Sequence, residues 1–187
     1  QINSNNLCLS GGVALNCVMN GKMHSKSKFK NINVPSSPGD SGVAVGAVLM
    51  MLRDKYGKFF KCTKSPYLGP KYKKIKKIEL LKKIKNKKIK IKKLKNNLNF
   101  LANQLLDKKI IAIFHGRSEF GPRALGNRSI ITSTSGQEMK DYLNIRVKFR
   151  ESFRPFAPIV LDKYSNKFFK IEGDSFNMTK TFSVKLK

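Results

Sequence analysis

Tryptophan is absent, histidine occurs twice, and only 11 acids stand against 39 lysines and arginines in 187 residues. The two histidines, His24 and His115, are too far apart to form a paired metal-ligand motif. Cysteine is scarce as well. Cys8, Cys17 and Cys62 are odd in number and lack C-x-x-C spacing, which argues against a disulfide framework or a zinc site and fits a reducing cytoplasm. The longest apolar run, Gly42 to Leu52, is far shorter than the roughly 20 residues a membrane-spanning helix requires. No signal peptide is visible, so no membrane partner is expected. The chain opens on Gln1 rather than Met, and its last strand-like stretch, 176–187, has no closing turn or cap. An interior piece of a longer protein, lacking its N-terminal half, is the expectation.

The shortage of acid leaves a formal charge of +28. Such a charge suits a nucleic-acid-binding module, which is the alternative reading. The excess, however, is lysine accompanied by Asn, Ile and Phe, the residues of A- and T-rich codons. Codon bias alone would produce that surface, so a nucleic-acid partner is not required.

Arginine is the exception within this charge. There are seven arginines and 32 lysines, and six of the arginines fall between 117 and 154. A guanidinium donates two parallel hydrogen bonds to a phosphate or carboxylate and never loses its proton, whereas an ammonium is a point charge. Arg117, Arg123 and Arg128 lie in "HGRSEFGPRALGNRSI", where Gly116, Gly121 and Gly126 permit tight turns and close approach of backbone to a ligand. Lys148, Arg150 and Arg154 follow in "KFRESFRPF", interleaved with Phe149, Phe153 and Phe156. If that segment is extended, Lys148 and Arg150 face one side and the aromatics face the core. These cations suffice for a nucleotide plus a second phosphorylated substrate. The competing reading pairs Arg123, Arg128 and Arg154 with Glu119, Glu151 and Asp162, which accounts for only part of the set. His115 has no catalytic role assigned.

The surrounding pattern is α/β. A strand at Leu7–Leu9 leads through Ser-Gly-Gly to a helix from Val13 to about Met23. A strand at Asn31–Val34 runs into a Pro/Ser/Gly loop and a helix beginning near Ser41, with Asp40 at its N-terminus and Gly42 and Gly46 one turn apart for close packing. Two prolines and a glycine in 61–72 mark a linker, followed by fourteen lysines between Lys71 and Lys95. Apolar spacing predicts a helix at 74–85, a strand at 88–92, a helix at 95–107 and a strand at 110–114. Beyond the arginine loop come a strand at Ser129–Ser133 and a helix from Gln137 to Ile145.

"GRSEFGPRALGNRSI" with "NIRVKFRESFRPFAP", preceded by "LSGGVALNCVMNGKM", "FKNINVPSSPGDSGVAVGAVL" and "SPYLGP", resembles the carbamoyltransferase family of the nodulation, cephamycin and tobramycin O-carbamoyltransferases. The resemblance covers nearly the whole chain and is most specific over 116–158. It implies an actin-like domain ending over 1–60, a linker at 61–72, and the start of a YrdC-like domain over 73–187. The implied activity is formation of carbamoyl-adenylate from carbamoyl phosphate and ATP, then transfer of the carbamoyl group to a hydroxylated small-molecule acceptor. The implied cofactors are ATP and a divalent metal, iron or magnesium. Gly11, Gly12 and Asn16 carry over as nucleotide contacts, joined by Arg128, Ser129 and Arg154. Asp40 carries over as a metal ligand, although the histidine pair that completes the family's set is missing. Lys148 and Arg150 match a K-x-R signature and, with Arg117 and Arg123, are the expected catalytic cations. A tRNA-threonylcarbamoylating enzyme, related in fold, would lack the contiguous "EFGPRALGNRS" block.

Overall fold

The computed structural model describes residues 3–60, 65–72, 79, 90, 92–134, 136–171 and 177–184. The helix and strand expected at 74–85 and 88–92 fall almost wholly outside them. In chain order the described elements are β1 (Asn6–Cys8), α1 (Cys17–Lys26), β2 (Asn31–Asn33), α2 (Asp40–Tyr56), α3 (Asn97–Leu106), β3 (Ile111–Phe114), β4 (Arg128–Ile131), α4 (Gln137–Tyr142), α5 (Asp162–Phe168), β5 (Phe169–Lys170) and β6 (Ser183–Val184). The fold is mixed α/β, with three two-stranded sheets among the described residues. The chain divides into two compact parts. The first comprises Gln1–Gly69, Ser118–Leu125 and Ala157–Lys187, and the second comprises Pro70–Arg117 and Gly126–Phe156.

In the first part β1 and β2 pair in parallel, with Leu7 opposite Ile32. A parallel pair needs a crossover, and α1 supplies it. The continuous helix expected from Val13 is instead broken. Gly12–Leu15 forms a 3-10 turn, Asn16 leaves helical geometry at ψ 89, and its Oδ1 accepts the Met19 N–H at 3.0 Å. Asparagine prefers this capping position because its side chain satisfies an orphan N–H that a helix start exposes. One turn on, the fully buried Asn20 donates from Nδ2 to the carbonyls of Ala14 and Thr179, both at 2.8 Å. The Thr181 N–H donates to the Cys17 carbonyl at 3.1 Å, and a Cβ added to Gly21 would lie 2.7 Å from Thr181. Gly21 therefore lets the C-terminal segment lie against α1.

Helix α2 ends on Gly57 in left-handed geometry (φ 63), a common stop. Of its two expected close-packing glycines, Gly42 lies against the Ser37 carbonyl while Gly46 faces open space. No residue of α2 is buried, and Val43, Val48, Met50 and Met51 are exposed. Among the described residues the buried aliphatic side chains are Ala14, Val34 and Leu143. The antiparallel pair of β5 and β6 follows α5.

In the second part the Asn96 side chain accepts the Asn99 N–H at 3.1 Å and caps α3. Strands β3 and β4 are antiparallel, with Ile111 opposite Ile131 and Phe114 opposite Arg128. The expected helix over 137–145 is α-helical only to Tyr142. It continues as a π turn, Leu143–Val147, which begins with Leu143 and Asn144, both buried.

Candidate anion-binding site

The arginine loop takes its shape from glycine. Gly116 (φ 58) and Gly126 (φ 109) occupy the left-handed region that side chains with a Cβ avoid. They turn the chain on either side of the β3–β4 pair, where the His115 N–H meets the Asn127 carbonyl at 3.1 Å. Arg128 then reaches back along the loop. Its Nη1 donates to the carbonyls of His115 (2.6 Å) and Asn127 (2.9 Å), and its Nη2 donates to the carbonyl of Gly116 (3.3 Å). The guanidinium carbon lies 3.7 Å from the Phe114 ring centroid and 5.9 Å from that of Tyr72, within range of cation–π attraction. Around it, Asn127 Nδ2 donates to the Arg117 carbonyl at 2.6 Å, and Ser129 Oγ accepts the Gly126 N–H at 2.9 Å. Arg117 also bridges Lys71 through the backbone.

Residues 118–125 pack within the first part. Glu119 Oε1 accepts the Leu125 N–H at 2.7 Å, Tyr67 Oη donates to the Leu125 carbonyl at 2.7 Å, and Arg123 Nη2 donates to the Leu15 carbonyl at 3.3 Å. Gly121 combines φ 134 with the Ser36 carbonyl close against it, so it carries both of the demands that favour glycine.

The downstream cations form a group around Asn144. Arg150 Nε donates to Asn144 Oδ1 at 2.8 Å, and its guanidinium carbon sits 4.8 Å from the Phe156 centroid. Arg154 pairs with Glu151 at 3.0 Å. The Glu151 carboxyl is held below its ordinary pKa, first by a hydrogen bond from its own backbone N–H and then by the Arg154 charge. Lys148 is exposed. The expected extended strand with aromatics facing the core is not what forms. Phe149 adopts φ 49, which breaks the alternation, and Phe149 and Phe153 are 84% and 75% exposed. Of the three expected structural ion pairs, Arg154 does contact Glu151. The hydrogen bonds above take Arg123 and Arg128 to carbonyls instead.

The hydrogen bonds and ring contacts described for Arg128 thus run to residue 72 and residues 114–127, while those of Arg150 and Arg154 stay within 144–156. Arg123 belongs to the first part, as do Gly11, Gly12, Asn16 and Asp40. Gly11 has φ 89 and donates its N–H to the Pro38 carbonyl at 2.7 Å, while a Cβ on Gly12 would meet nothing within 4 Å. Asn16 spends its side-chain oxygen on the α1 cap. Asp40 is exposed in the first turn of α2, a position that the helix dipole favours for a carboxylate. Among the described residues no three His, Cys, Asp or Glu side chains gather as metal ligands. The chain's own residues therefore do not form a metal site around Asp40. A cavity of about 870 Å³ in the first part is lined by His24, Lys30, Ser36, Val43, Gly46 and Asn177 among others, and by none of the expected site residues. No described helix is long and apolar enough to cross a membrane.

Asn144 escaped the sequence reading because "DYLNIRV" looks like an ordinary helical repeat. The available signal was propensity, since Asn is a poor helix-interior residue and usually has a reason to be there.

Fixed guanidinium groups on glycine-shaped turns are the equipment of a protein that handles phosphorylated or carboxylated molecules. Comparison with known proteins narrows that class. Residues 1–49 match the carbamoyltransferase N-terminus and residues 102–187 match the carbamoyltransferase C-terminus. An uncharacterized protein of Synechocystis is 38% identical over 183 residues, covering 94% of this chain and 29% of the relative. Nodulation protein NolO of Bradyrhizobium diazoefficiens is 38% identical over 167 residues (88% and 30%), and nodulation protein U of Rhizobium tropici is 37% identical over 169 residues (84% and 25%). The chain belongs to the carbamoyltransferase family. It spans less than a third of the length of these relatives.

Proposed function

We propose that the protein to which these residues belong is an O-carbamoyltransferase that activates carbamoyl phosphate with ATP. In this reading residues 1–60 close an actin-like domain, 61–72 link, and 73–187 open a YrdC-like domain that forms carbamoyl-adenylate. The observation that carries it is Arg150. Its hydrogen-bond partner in Asn144 is a neutral amide and its ring partner is Phe156, so neither cancels its charge, and Lys148 stands two residues before it. Arginines 117 and 128 lie in the same compact part.

Carbamoyl phosphate and ATP are both polyanions, and contact between them is opposed by charge repulsion. Fixed cations offset that repulsion and stabilise charge growing on phosphoryl oxygens in the transition state. In the first step a carbamoyl oxygen bonds to the α-phosphorus of ATP as pyrophosphate leaves, and the donor releases its own phosphate. In the second, an acceptor hydroxyl attacks the carbamoyl carbon, loses its proton, and expels AMP. A divalent metal in the reaction would find Asp40 as its one expected ligand among the described residues, so no step here depends on it. The open face of Gly12 is compatible with a nucleotide lying against the Gly11–Gly12 backbone.

Labelled pyrophosphate exchange into ATP, measured with and without carbamoyl phosphate, tests the activation step. Exchange is expected only with carbamoyl phosphate present, and Lys148→Ala and Arg150→Ala should each reduce it at least tenfold. Exchange at the wild-type rate in both variants would remove their proposed roles.

A further inference from the structure

We infer that Asn144 is a positioning residue that fixes the orientation of the Arg150 guanidinium for a phosphate-bearing ligand. The inference rests on the reading of Arg150 as an anion-binding cation. Asn144 is fully buried, and every side-chain hydrogen it owns is used. Nδ2 donates to the carbonyls of Ser152 and Arg154, both at 3.0 Å, and Oδ1 accepts from Arg150 Nε at 2.8 Å. The Asn144 carbonyl also accepts the Arg150 N–H at 3.0 Å. The amide thus grips both the backbone and the side chain of Arg150, together with the turn that follows.

The geometry has a chemical consequence. With Nε committed to Asn144, the four N–H groups of Nη1 and Nη2 form the end of the guanidinium that remains for an oxyanion. Phe156 at 4.8 Å lies against the same group, so the hydrogen bond sets its rotation while the ring limits its tilt. A free arginine loses much rotamer freedom when it binds, and one already held loses less. The π turn places Asn144 beneath this segment, and π turns are often found at functional sites.

Two roles are separable here. The Nδ2 bonds tie down the 152–154 turn, which is structural, whereas the Oδ1 bond orients Arg150. A double-mutant cycle distinguishes them, because a residue that acts through Arg150 has nothing further to lose once Arg150 is gone.

The test is calorimetric titration of the whole chain with inorganic pyrophosphate at low salt. Asn144→Ala and Arg150→Ala should each weaken binding about tenfold, and the double variant should bind no worse than Arg150→Ala. Losses that multiply to about a hundredfold would overturn the inference. So would wild-type affinity in a folded Asn144→Ala chain alongside a weakened Arg150→Ala chain, which would leave the anion-binding reading standing. Equal affinity in wild type and Arg150→Ala, including no binding by either, would overturn both. If circular dichroism shows Asn144→Ala to be unfolded, Arg150→Lys decides. That variant keeps the charge and the backbone hydrogen bond but cannot present a fork while holding Asn144. A tenfold loss supports positioning, and wild-type affinity refutes it.

Discussion

Replacing Arg128 with lysine keeps one positive charge at the end of β4 and removes the planar fork. In the native loop that fork makes three N–H···O=C contacts, at 2.6, 2.9 and 3.3 Å, to carbonyls spread over His115, Gly116 and Asn127. A charge-assisted hydrogen bond contributes about 1.5–3 kcal/mol when well shielded, and roughly 1 kcal/mol is the fairer figure for a half-exposed residue such as this one. An ammonium reaching one carbonyl would forfeit two of the three bonds, or about 2 kcal/mol. At 1.4 kcal/mol per factor of ten, local opening of the β3–β4 end should become about thirtyfold more frequent. Amide hydrogen exchange reads this directly, because the His115 N–H is bonded to the Asn127 carbonyl and is released only when the loop opens. Exchange at His115 should accelerate by that factor. An exchange rate within twofold of wild type would mean that the carbonyl contacts do not hold the loop, and that the glycine geometry suffices without them.

Asn20→Ala deletes two donors to the carbonyls of Ala14 and Thr179, and two unsatisfied acceptors should cost about 2–4 kcal/mol in urea denaturation. Asn20→Leu, which keeps the volume, should lose a similar amount, and wild-type stability in the leucine variant would show that packing rather than hydrogen bonding matters there. Gly12→Ala should leave stability within about 0.5 kcal/mol, since an added Cβ meets nothing, but should weaken ATP binding if nucleotide lies on that backbone. Unchanged ATP affinity would detach Gly12 from the nucleotide. The Glu151 carboxyl should titrate with a midpoint below 4.5 by NMR. Its depressed folded-state value favours the folded chain above pH 4.5, a contribution lost as pH falls through that lower midpoint, and Arg154→Ala should move the midpoint upward. A midpoint at or above 4.5 in the native chain would contradict the Arg154 contact.

The parts of the fold that were legible depend on near neighbours in sequence. Alternation and turn residues located β1 to β4 to within a residue or two at most ends, because an apolar strand between a turn and a glycine has few other states. Helix boundaries were less legible. Asn16 divides what looked like one helix from Val13, since a side chain that can cap competes with continuing the turn. The run from Lys148 to Phe156 failed for a different reason. Its apolar and cationic residues alternate as a strand would, yet Phe149 takes a left-handed backbone conformation that no alternation rule detects. For the candidate site, composition revealed that arginine was concentrated, but not what each guanidinium touches. Arg128 folds back onto three carbonyls and Arg150 onto a buried amide, and both depend on loops closing in space. Asn144 stayed hidden because its partners are two backbone oxygens and a side chain six residues away.

The π turn at Leu143–Val147 makes the length of this stretch matter more than its spelling. An α-helix advances about 100° per residue, and a π turn accommodates one residue beyond that winding. Deleting a single residue between 143 and 147 would relax the stretch to ordinary winding and swing everything downstream by about a quarter turn. Arg150 would then emerge on a different flank from the amide that holds it, with no change to either side chain. Exchanges among similar residues should be tolerated here, whereas one-residue indels should be as damaging as losing the arginine itself.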